Sequence, residues 1–317
     1  MNIILDVPYE GIIIAGPTAS GKSSFAIEIG QKFISIGQPI GIINADSMQV
    51  YSDLPVLTAR PRESDVNHIP HYLYGIINAH QKGSVKWWLD CINDQLENCK
   101  QQKIFPIIVG GTGLYLKALT QGLSVIPPIQ DAVKQQVKEI AQNLGQDFYS
   151  YVCDCDFLVK GLLSPNDHQR LMRALEVYIQ TSQSIFWWQK QTSSPKRRFL
   201  YYLLDIERKK LYQNIDIRFD QMMNKGALEE VKNLLTTNPL EDSPIFKAIG
   251  VQELTAYLKG EINLETAINL AKRNSRRYAK RQLTWFHHQV SDKIPLNSLD
   301  INRIWPFLKE KLKVLYY

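Results

Sequence analysis

A glycine-rich stretch near the amino end holds the residues whose types and spacing are best suited to chemistry. Residues 16–23 fit the pattern G-x-x-x-x-G-K-[S/T], with an apolar segment before them and a helical pattern after them. The glycines let backbone N–H groups turn inward around phosphate oxygens, and the N-terminus of the following helix adds partial positive charge. Lys22 adds a mobile charge, and the Ser23 hydroxyl is suited to Mg²⁺. The predicted diphosphate-binding residues are Gly16, Pro17, Thr18, Ala19, Ser20, Gly21, Lys22 and Ser23.

Two carboxylates follow apolar, strand-like segments. Asp46 comes after residues 39–44, and Asp205 ends the segment 199–205. In most proteins with this phosphate loop, which are nucleotide hydrolases or kinases, a strand-end carboxylate helps to hold Mg²⁺. Either aspartate could take that role, so the loop alone leaves a kinase or NTPase open.

Positive charge is concentrated in one window near the carboxyl end. The whole chain has a formal net charge of +6, and residues 272–281 contain six basic side chains and no acid. Four of the six lie at i, i+3, i+4 and i+7 of a predicted helix: Arg273, Arg276, Arg277 and Lys280. Such a stripe would track phosphates without reading sequence. A solvated helix face is the alternative interpretation.

The elements that must position these residues follow from apolar patterning. Short apolar runs at 11–15, 39–44, 104–109 and 199–205 predict buried strands, and the first three alternate with helices near 22–33 and 85–100. This alternation predicts a P-loop NTPase-like α/β core with a parallel sheet, whose ligands collect at the carboxyl ends of the strands.

A long helical pattern interrupts the core. Residues 132–190 are helical in pattern, with Ser164 and Pro165 as cap and first residue of one helix. We therefore predict an inserted all-helical domain. The predicted domains are the first part of the core at 1–125, the insertion at 126–197, and the rest of the core with its basic helix at 198–317.

Bulk composition narrows the class of protein. Hydrophobic residues make up 44% and charged residues 21%, and no apolar run reaches the length of a membrane helix. Four cysteines are too few for a disulfide scaffold and lack zinc spacing, so we expect reduced thiols. We expect a cytoplasmic monomer that does not associate with membranes.

Six further stretches carry a resemblance to a known family. They are residues 44–51, 58–61, 69–73, 109–115, 165–177 and 278–285. In order and spacing they closely resemble the tRNA dimethylallyltransferase (tRNA isopentenyltransferase) family, and the likeness runs from about Gly11 to Phe286. The lack of a Cys/His zinc module after Trp285 is typical of the bacterial or organellar form.

The resemblance implies a reaction and its partners. The donor would be dimethylallyl diphosphate, with Mg²⁺ as cofactor, and the acceptor N6 of adenine 37, next to the anticodon. The product would be N6-(dimethylallyl)adenosine in tRNAs that read codons starting with U. The helical insertion would clamp the anticodon stem-loop of the tRNA.

The resemblance also assigns catalytic roles. Thr112 would contact the tRNA, and Arg218 would clamp the diphosphate. Asp46 is our candidate to orient the weakly nucleophilic amine and accept its proton, because its strand end lies beside the phosphate loop in this topology. The alternatives are a magnesium-side carboxylate for Asp46, a helix cap for Thr112, and a surface ion pair of Arg218 with Asp216 or Glu229.

By resemblance, a larger set contacts tRNA. Besides the basic stripe, it comprises Asp46, Ser47, Met48, Gln49, Thr112, Lys134, Gln169, Arg170, Leu171, Met172, Arg173, Lys247, Ala248, Ile249, Gly250, Val251 and Gln252. Val251 and Gln252 depart from the family pattern, in which an aromatic and a basic residue often stand. Arg170 and Arg173 could also be plain solvated helix charges. Tyr278, Trp285 and Phe286 are predicted to face the core.

Three rival functions remain at this stage. A small-molecule kinase or NTPase explains neither the basic stripe nor the insertion. An RNA-binding module with a vestigial phosphate loop does not explain an intact Lys22, Ser23 and Asp46. An adenylate isopentenyltransferase acting on free adenine nucleotides would not need a clamp for a stem-loop.

Overall fold

Short strands form a six-stranded parallel sheet in the computed structural model, which describes residues 4–5, 9–62, 66, 69–191, 197–312 and 314–315. The described strands are β1 (Ile4–Leu5), β2 (Ile12–Ala15), β3 (Ile40–Asn44), β4 (His71–Tyr72), β5 (Phe105–Gly110), β6 (Leu200–Leu204), β7 (Ile294–Leu296) and β8 (Val314–Leu315). The sheet has the order β4-β3-β5-β2-β6-β7, and β1 pairs separately with β8 in antiparallel fashion. The predicted α/β class with a parallel core sheet is confirmed.

Twelve α-helices occur within the described ranges. They are α1 (Lys22–Ser35), α2 (Val85–Gln101), α3 (Gly113–Gln121), α4 (Asp131–Leu144), α5 (Phe148–Cys155), α6 (His168–Thr181), α7 (Ile185–Lys190), α8 (Arg208–Asn224), α9 (Ala227–Thr236), α10 (Val251–Leu258), α11 (Leu264–Gln289) and α12 (Ile301–Lys311). Short 3₁₀ segments lie at Gly145–Asp147, Phe157–Val159 and Pro244–Lys247. None of the helices in these ranges has the length and apolar character needed to cross a bilayer.

The chain divides into two units. One comprises Met1–Thr120 with Arg197–Tyr317, and the other comprises Gln121–Lys196. The second unit overlaps the segment 126–197 that the sequence predicts as an inserted domain. Its described secondary structure is helical throughout, from α4 to α7.

The sheet of the first unit is buried on both faces. All residues of β2, β3, β5 and β6 are buried, and apolar side chains pack against the two faces from different helices. Trp88 of α2 lies on one side, and Phe25 and Phe33 of α1 lie on the other. Parallel strands covered on both faces appear as continuous apolar runs, which is why the sequence reveals them.

The second unit has its own small core. Val137 of α4, Phe148 and Val152 of α5, and Leu171 and Leu175 of α6 are fully buried there. The predicted helix start at Ser164 and Pro165 is wrong, because α6 begins at His168.

The true cap of α6 is the residue just before it. The Asp167 carboxylate accepts a hydrogen bond from the Arg170 N–H at 3.3 Å. Ser164 instead accepts from the Asn166 N–H at 3.3 Å, in the turn before the helix. The chain offers two capping residues close together, and the carboxylate side chain is the one used.

Candidate active site

The phosphate loop lies between β2 and α1, as its motif requires. Gly21 caps α1 in the left-handed conformation with a φ of 84°, and a Cβ there would lie 2.9 Å from Leu299 Cδ1. The Lys22 side chain reaches back over the loop, and its Nζ donates a hydrogen bond to the Pro17 carbonyl at 3.0 Å. The loop and Lys22 line a groove of about 400 Å³ together with Asp46 and Arg218. The predicted phosphate cradle is therefore an open concavity lined by two cations.

Both cations are partly buried. Burial lowers the pKa of Lys22 to about 8, and Asp46 opposes this shift, whereas Arg218 adds to it. Burial also lowers the pKa of Arg218, and Asp46 again opposes the shift. A desolvated cation gains more from an incoming anion than an exposed one does, because less water screens the pair. This part of the groove is thus prepared for a polyanionic group.

Arg218 reaches the loop from α8. Its Nη1 lies 3.5 Å from the Thr18 hydroxyl. The alternative of a surface ion pair is wrong, because Asp216 instead pairs with Arg276, and Glu229 pairs with Lys232 at 3.7 Å.

Asp46 follows β3 and is fixed by its own turn. Its backbone N–H donates to Asn44 Oδ1 at 2.8 Å, and its carboxylate Oδ1 accepts from the Met48 N–H at 2.9 Å. Asn44, which is fully buried, also donates to the carbonyls of Asp46 and Leu73 at 3.0 Å each. The carboxylate therefore keeps one orientation beside the phosphate loop.

Thr112 connects the ends of two neighbouring strands. Its N–H donates to the Ala45 carbonyl at 3.2 Å, and its hydroxyl accepts from the Ser47 N–H at 2.9 Å. The same hydroxyl lies 3.2 Å from the Ser47 hydroxyl. The helix-cap alternative holds only for the backbone, since the Thr112 carbonyl accepts from Tyr115 N–H at 3.0 Å in α3.

A second cavity opens next to Asp46. It has a volume of about 390 Å³, and its polar lining includes Thr18, Asp46, Ser47, Arg218 and Lys247. The apolar part of its lining consists of Ala19, Met48, Leu57, Ile215, Phe219, Met222, Ala248 and Ile249. Polar and charged groups thus share one cavity with an apolar wall.

Several of these lining residues escape sequence reasoning. Leu57, Ile215, Phe219 and Met222 look like ordinary core positions, since only the fold brings them to the cavity. Tyr278 also lines the cavity, so its predicted core-facing place is wrong, whereas Phe286 is fully buried as predicted. Trp285 packs against Gly113 and is half-buried.

The structure separates the predicted contacts around α10. Lys247, Ala248 and Ile249 lie at the cavity, and Gly250 caps α10 with a φ of 101°. Gln252 is exposed. The prediction is wrong for the side chain of Val251, which is fully buried in the core.

Gln49 supports the site through the backbone of a neighbouring turn. Its amide nitrogen donates to the Thr58 carbonyl at 2.9 Å and to the Ala59 carbonyl at 3.3 Å. Gln49 also lines the phosphate groove.

The basic stripe on α11 is not uniform. Arg273, Arg277 and Lys280 are exposed, whereas Arg276 is half-buried and pairs with Asp216 of α8. The prediction of one continuous stripe is therefore wrong at Arg276. No acidic residue lies within residues 272–281 themselves. The acidic partner of Arg276 comes from another helix.

In the second unit, the predicted cations have carboxylate partners three residues away. Lys134 lies 2.7 Å from Asp131, Arg170 lies 3.3 Å from Asp167, and Arg173 lies 3.2 Å from Glu176, all measured between charged atoms.

Two other predicted contacts of the second unit differ in exposure. Gln169 is exposed, and Met172 is half-buried against the small core. The prediction is wrong for the side chain of Leu171, which is fully buried. Its helical spacing on the apolar face of α6 is the reason.

Comparison with known proteins identifies related chains. The family model described as IPP transferase matches residues 49–289. A tRNA dimethylallyltransferase of Bartonella tribocorum is 43% identical over 293 residues, covering 90% of this chain and 98% of the relative. One from a Wolbachia pipientis strain of Culex pipiens is 42% identical, covering 88% and 92%. The crystal structure of the Bacillus halodurans tRNA isopentenylpyrophosphate transferase has a TM-score of 0.70 at 30% identity, covering 96% and 97%.

Proposed function

This chain belongs to the IPP transferase family of tRNA dimethylallyltransferases, and from that premise we propose a specific reaction for it. It transfers the dimethylallyl group of dimethylallyl diphosphate to N6 of adenine 37, beside the anticodon of tRNAs that read codons starting with U. One observation carries the proposal. Asp46, held in one orientation, lines both the cationic phosphate groove and the cavity with the apolar wall.

The phosphate groove suits a diphosphate leaving group. Charge builds on the diphosphate as its bond to carbon breaks, and donors fixed in advance stabilise that charge most effectively. Lys22 and Arg218 supply two partly buried cations, and the backbone of the loop supplies N–H donors. The apolar wall around Leu57, Phe219 and Met222 would hold the dimethylallyl chain.

The acceptor amine needs a base. Its lone pair is delocalised into the adenine ring, so a carboxylate that accepts its proton makes it a better nucleophile. In the proposed step, N6 forms a bond to C1 of the dimethylallyl group while the bond from C1 to the diphosphate oxygen breaks. The N6 proton passes to the Asp46 carboxylate, and pyrophosphate leaves toward Lys22. Asp46 thus acts as the base.

The adenine must leave its stack to reach Asp46. Bases of single-stranded loops are extruded more readily than paired ones, which favours an anticodon loop as substrate. Ser47 and Thr112, tied together by their hydroxyls, would present hydrogen-bonding groups to the extruded base.

A magnesium ion fits the oxygen groups of the groove. Ser23 and Asp46 both line it, and Mg²⁺ is commonly held by few protein oxygens together with substrate phosphates. Among the described residues there is no cluster of three or more His, Cys, Asp or Glu side chains that could hold a metal. A bound ion would therefore take its other ligands from diphosphate and water. When bound, it would neutralise charge on the leaving group.

Binding of the tRNA would use two surfaces. Exposed Arg273, Arg277 and Lys280 of α11 suit phosphates, and α6 of the helical insertion offers Gln169, Arg170 and Arg173 to the anticodon stem-loop. We propose that the protein acts as a monomer on this partner.

The decisive experiment offers the protein competing acceptors. Labelled dimethylallyl diphosphate and Mg²⁺ are incubated with unmodified tRNA, AMP or ATP in parallel. Label should enter only the tRNA, and nuclease digestion should place it on adenine 37. Label in AMP or ATP would support the reaction on free nucleotides, and transfer of phosphate instead of the prenyl group would support a kinase.

A further inference from the structure

A buried glutamine joins the basic helix to the phosphate loop. Gln282 of α11 is only 6% exposed. Its Oε1 accepts a hydrogen bond from the Thr18 N–H at 2.9 Å, and its Nε2 donates to the Gly111 carbonyl at 2.8 Å. One side chain therefore connects the loop after β2 with the turn after β5. These are the two segments that carry the proposed diphosphate site and Thr112.

The two hydrogen bonds fix which way the amide faces. An N–H must face an acceptor, and a carbonyl must face a donor. If the amide oxygen and nitrogen of Gln282 were exchanged, a donor would face the Thr18 N–H and an acceptor would face the Gly111 carbonyl. Both partners are backbone groups, Thr18 N–H and Gly111 C=O. Backbone groups cannot rotate away, so the side chain of Gln282 sets the spacing between them.

Close backbone approach leaves no room for another arrangement. A Cβ on Gly111 would lie 2.2 Å from Gln282 Nε2, and a Cβ on Gly113 would lie 2.2 Å from Trp285 Cε3. The turn after β5 therefore lies directly against α11. Glycine at these two positions permits the contact.

The network extends to the residues of the reaction. Tyr278 lies one helical turn before Gln282 and close to Thr112, and both neighbours oppose the rise that burial causes in the pKa of its hydroxyl. Thr112 in turn binds Ser47 in the turn that follows Asp46. Hydrogen bonds therefore connect the phosphate loop through Gln282 to Gly111, and the adjacent Thr112 continues the connection to the segment that holds the proposed base.

The contact also affects the phosphate cradle itself. Because the Thr18 N–H points at Gln282, it is already engaged, whereas the Thr18 hydroxyl lies near Arg218. Gln282 thereby determines the direction in which the first part of the loop turns. The remaining donors of the loop can then face the groove.

We propose that Gln282 is a positioning residue for prenyl transfer: its amide holds the phosphate loop at a fixed distance from the Thr112–Ser47 segment and so aligns the diphosphate with the attacking adenine. This inference rests on the proposed function. A misplacement of about 1 Å in such an alignment can lower a rate about 100-fold without abolishing binding.

The test compares two variants of the full chain. Gln282→Met keeps the length of the side chain but removes both hydrogen-bonding groups. Gln282→Glu keeps an acceptor for Thr18 and loses the donor to Gly111 when ionised. When protonated, the glutamic acid regains an O–H donor. Burial raises the pKa of a carboxyl, so this protonation falls within an accessible pH range.

We expect kcat for prenyl transfer to fall about 10- to 100-fold in both variants at about pH 8, with KM for tRNA changed less than about threefold. The ratio of kcat in Gln282→Glu to kcat in the wild type should rise as the pH falls from about 8 to about 6. The same ratio for Gln282→Met should stay constant. A purely structural role would not produce this difference.

The matched control is Gln289→Met, at an exposed position of the same helix, where Gln289 accepts a hydrogen bond from Lys117 Nζ at 2.8 Å. It should transfer at the wild-type rate. Unchanged kcat in both Gln282 variants, or equal impairment of the two at every pH, would overturn the inference. Loss of the folded state in both would also overturn it, because Gln282 would then be a structural residue. If the wild type itself transfers nothing to tRNA, the proposed function fails instead.

Discussion

The cations of the phosphate groove and those of the helical insertion have opposite surroundings. Lys22 and Arg218 are drawn from different elements into a desolvated groove. Lys134, Arg170 and Arg173 lie on helix surfaces, each with a carboxylate three residues away in the local sequence. The fold provides the desolvated environment of Lys22 and Arg218, whereas the cations of the insertion find their counter-charges nearby in the sequence.

This difference predicts different functional weights. A buried cation that meets an anion is poorly screened by water, so its loss is costly. An exposed ion pair contributes only about 0.2–1 kcal/mol to stability and is weakened by salt. When its cation leaves the carboxylate to bind an RNA phosphate, the net gain in binding free energy is therefore small. We expect mutations in the groove to affect chemistry and donor binding strongly, and mutations in the insertion to change tRNA affinity slightly.

Among residues of the phosphate groove, mutation of Asp46 should lower kcat the most. Asp46→Asn keeps an acceptor for the Met48 N–H but removes the negative charge, and Asp46→Ala removes both. Because a general base contributes about 10²- to 10⁴-fold, kcat should fall by that range in either variant. Binding of dimethylallyl diphosphate, measured by calorimetry, should survive. Turnover close to the wild-type rate would exclude Asp46 as the base.

Lys22 should give the next largest effect, together with a pH dependence. Because its pKa lies at about 8 in the free protein, its charge is present below that pH and is lost above it. KM for dimethylallyl diphosphate should therefore rise as the pH increases beyond about 8. Lys22→Met should raise this KM about 100-fold and remove the pH dependence.

Lys22→Arg is the matched control, since a guanidinium stays charged throughout that range. A wild-type KM that stays constant as the pH rises through about 8 would show that Lys22 does not meet the diphosphate as a titrating charge.

The basic helix should give a smaller effect, carried by its exposed members. Arg273→Glu combined with Arg277→Glu should raise KM for tRNA about tenfold and reduce the salt slope of binding by about one for each phosphate that is no longer neutralised. Arg276→Gln should leave that slope nearly unchanged, because Arg276 is paired with Asp216. Filter binding over a series of salt concentrations distinguishes the two. An identical slope in wild type and double variant would rule out this face.

The insertion should give the smallest effect. Arg170→Gln and Arg173→Gln should each raise KM for tRNA about two- to threefold, because each arginine already has a carboxylate partner. Lys134→Gln should behave alike. A rise of tenfold or more in any of them would contradict the comparison, since it would place an insertion cation in a desolvated contact with RNA.

Much of the core was predictable because its strands are short, continuous runs of apolar residues in the sequence. Residues 11–15, 39–44 and 104–109 are apolar on both faces, and the corresponding β2, β3 and β5 form within a residue of their predicted ends. Helix α2 also matches its predicted range near 85–100 to within one residue. The strands β4 and β7 were missed, because segments of two or three residues show no periodicity. Helix α12 contains Pro306, a residue that usually ends or kinks a helix.

The amino-acid sequence by itself determined the phosphate loop, the alternation of strands and helices, and the local density of positive charge, because each depends on residues close together in the chain. Only the tertiary structure decided which charges are free to act. It placed Lys22, partly buried, near Arg218, which lies far away in sequence, and it paired Arg276 with Asp216 of another helix. It also placed Gln282 between two strand ends. The desolvation and pairing of a charged side chain depend on its neighbours in space, and those neighbours cannot be identified from the linear sequence.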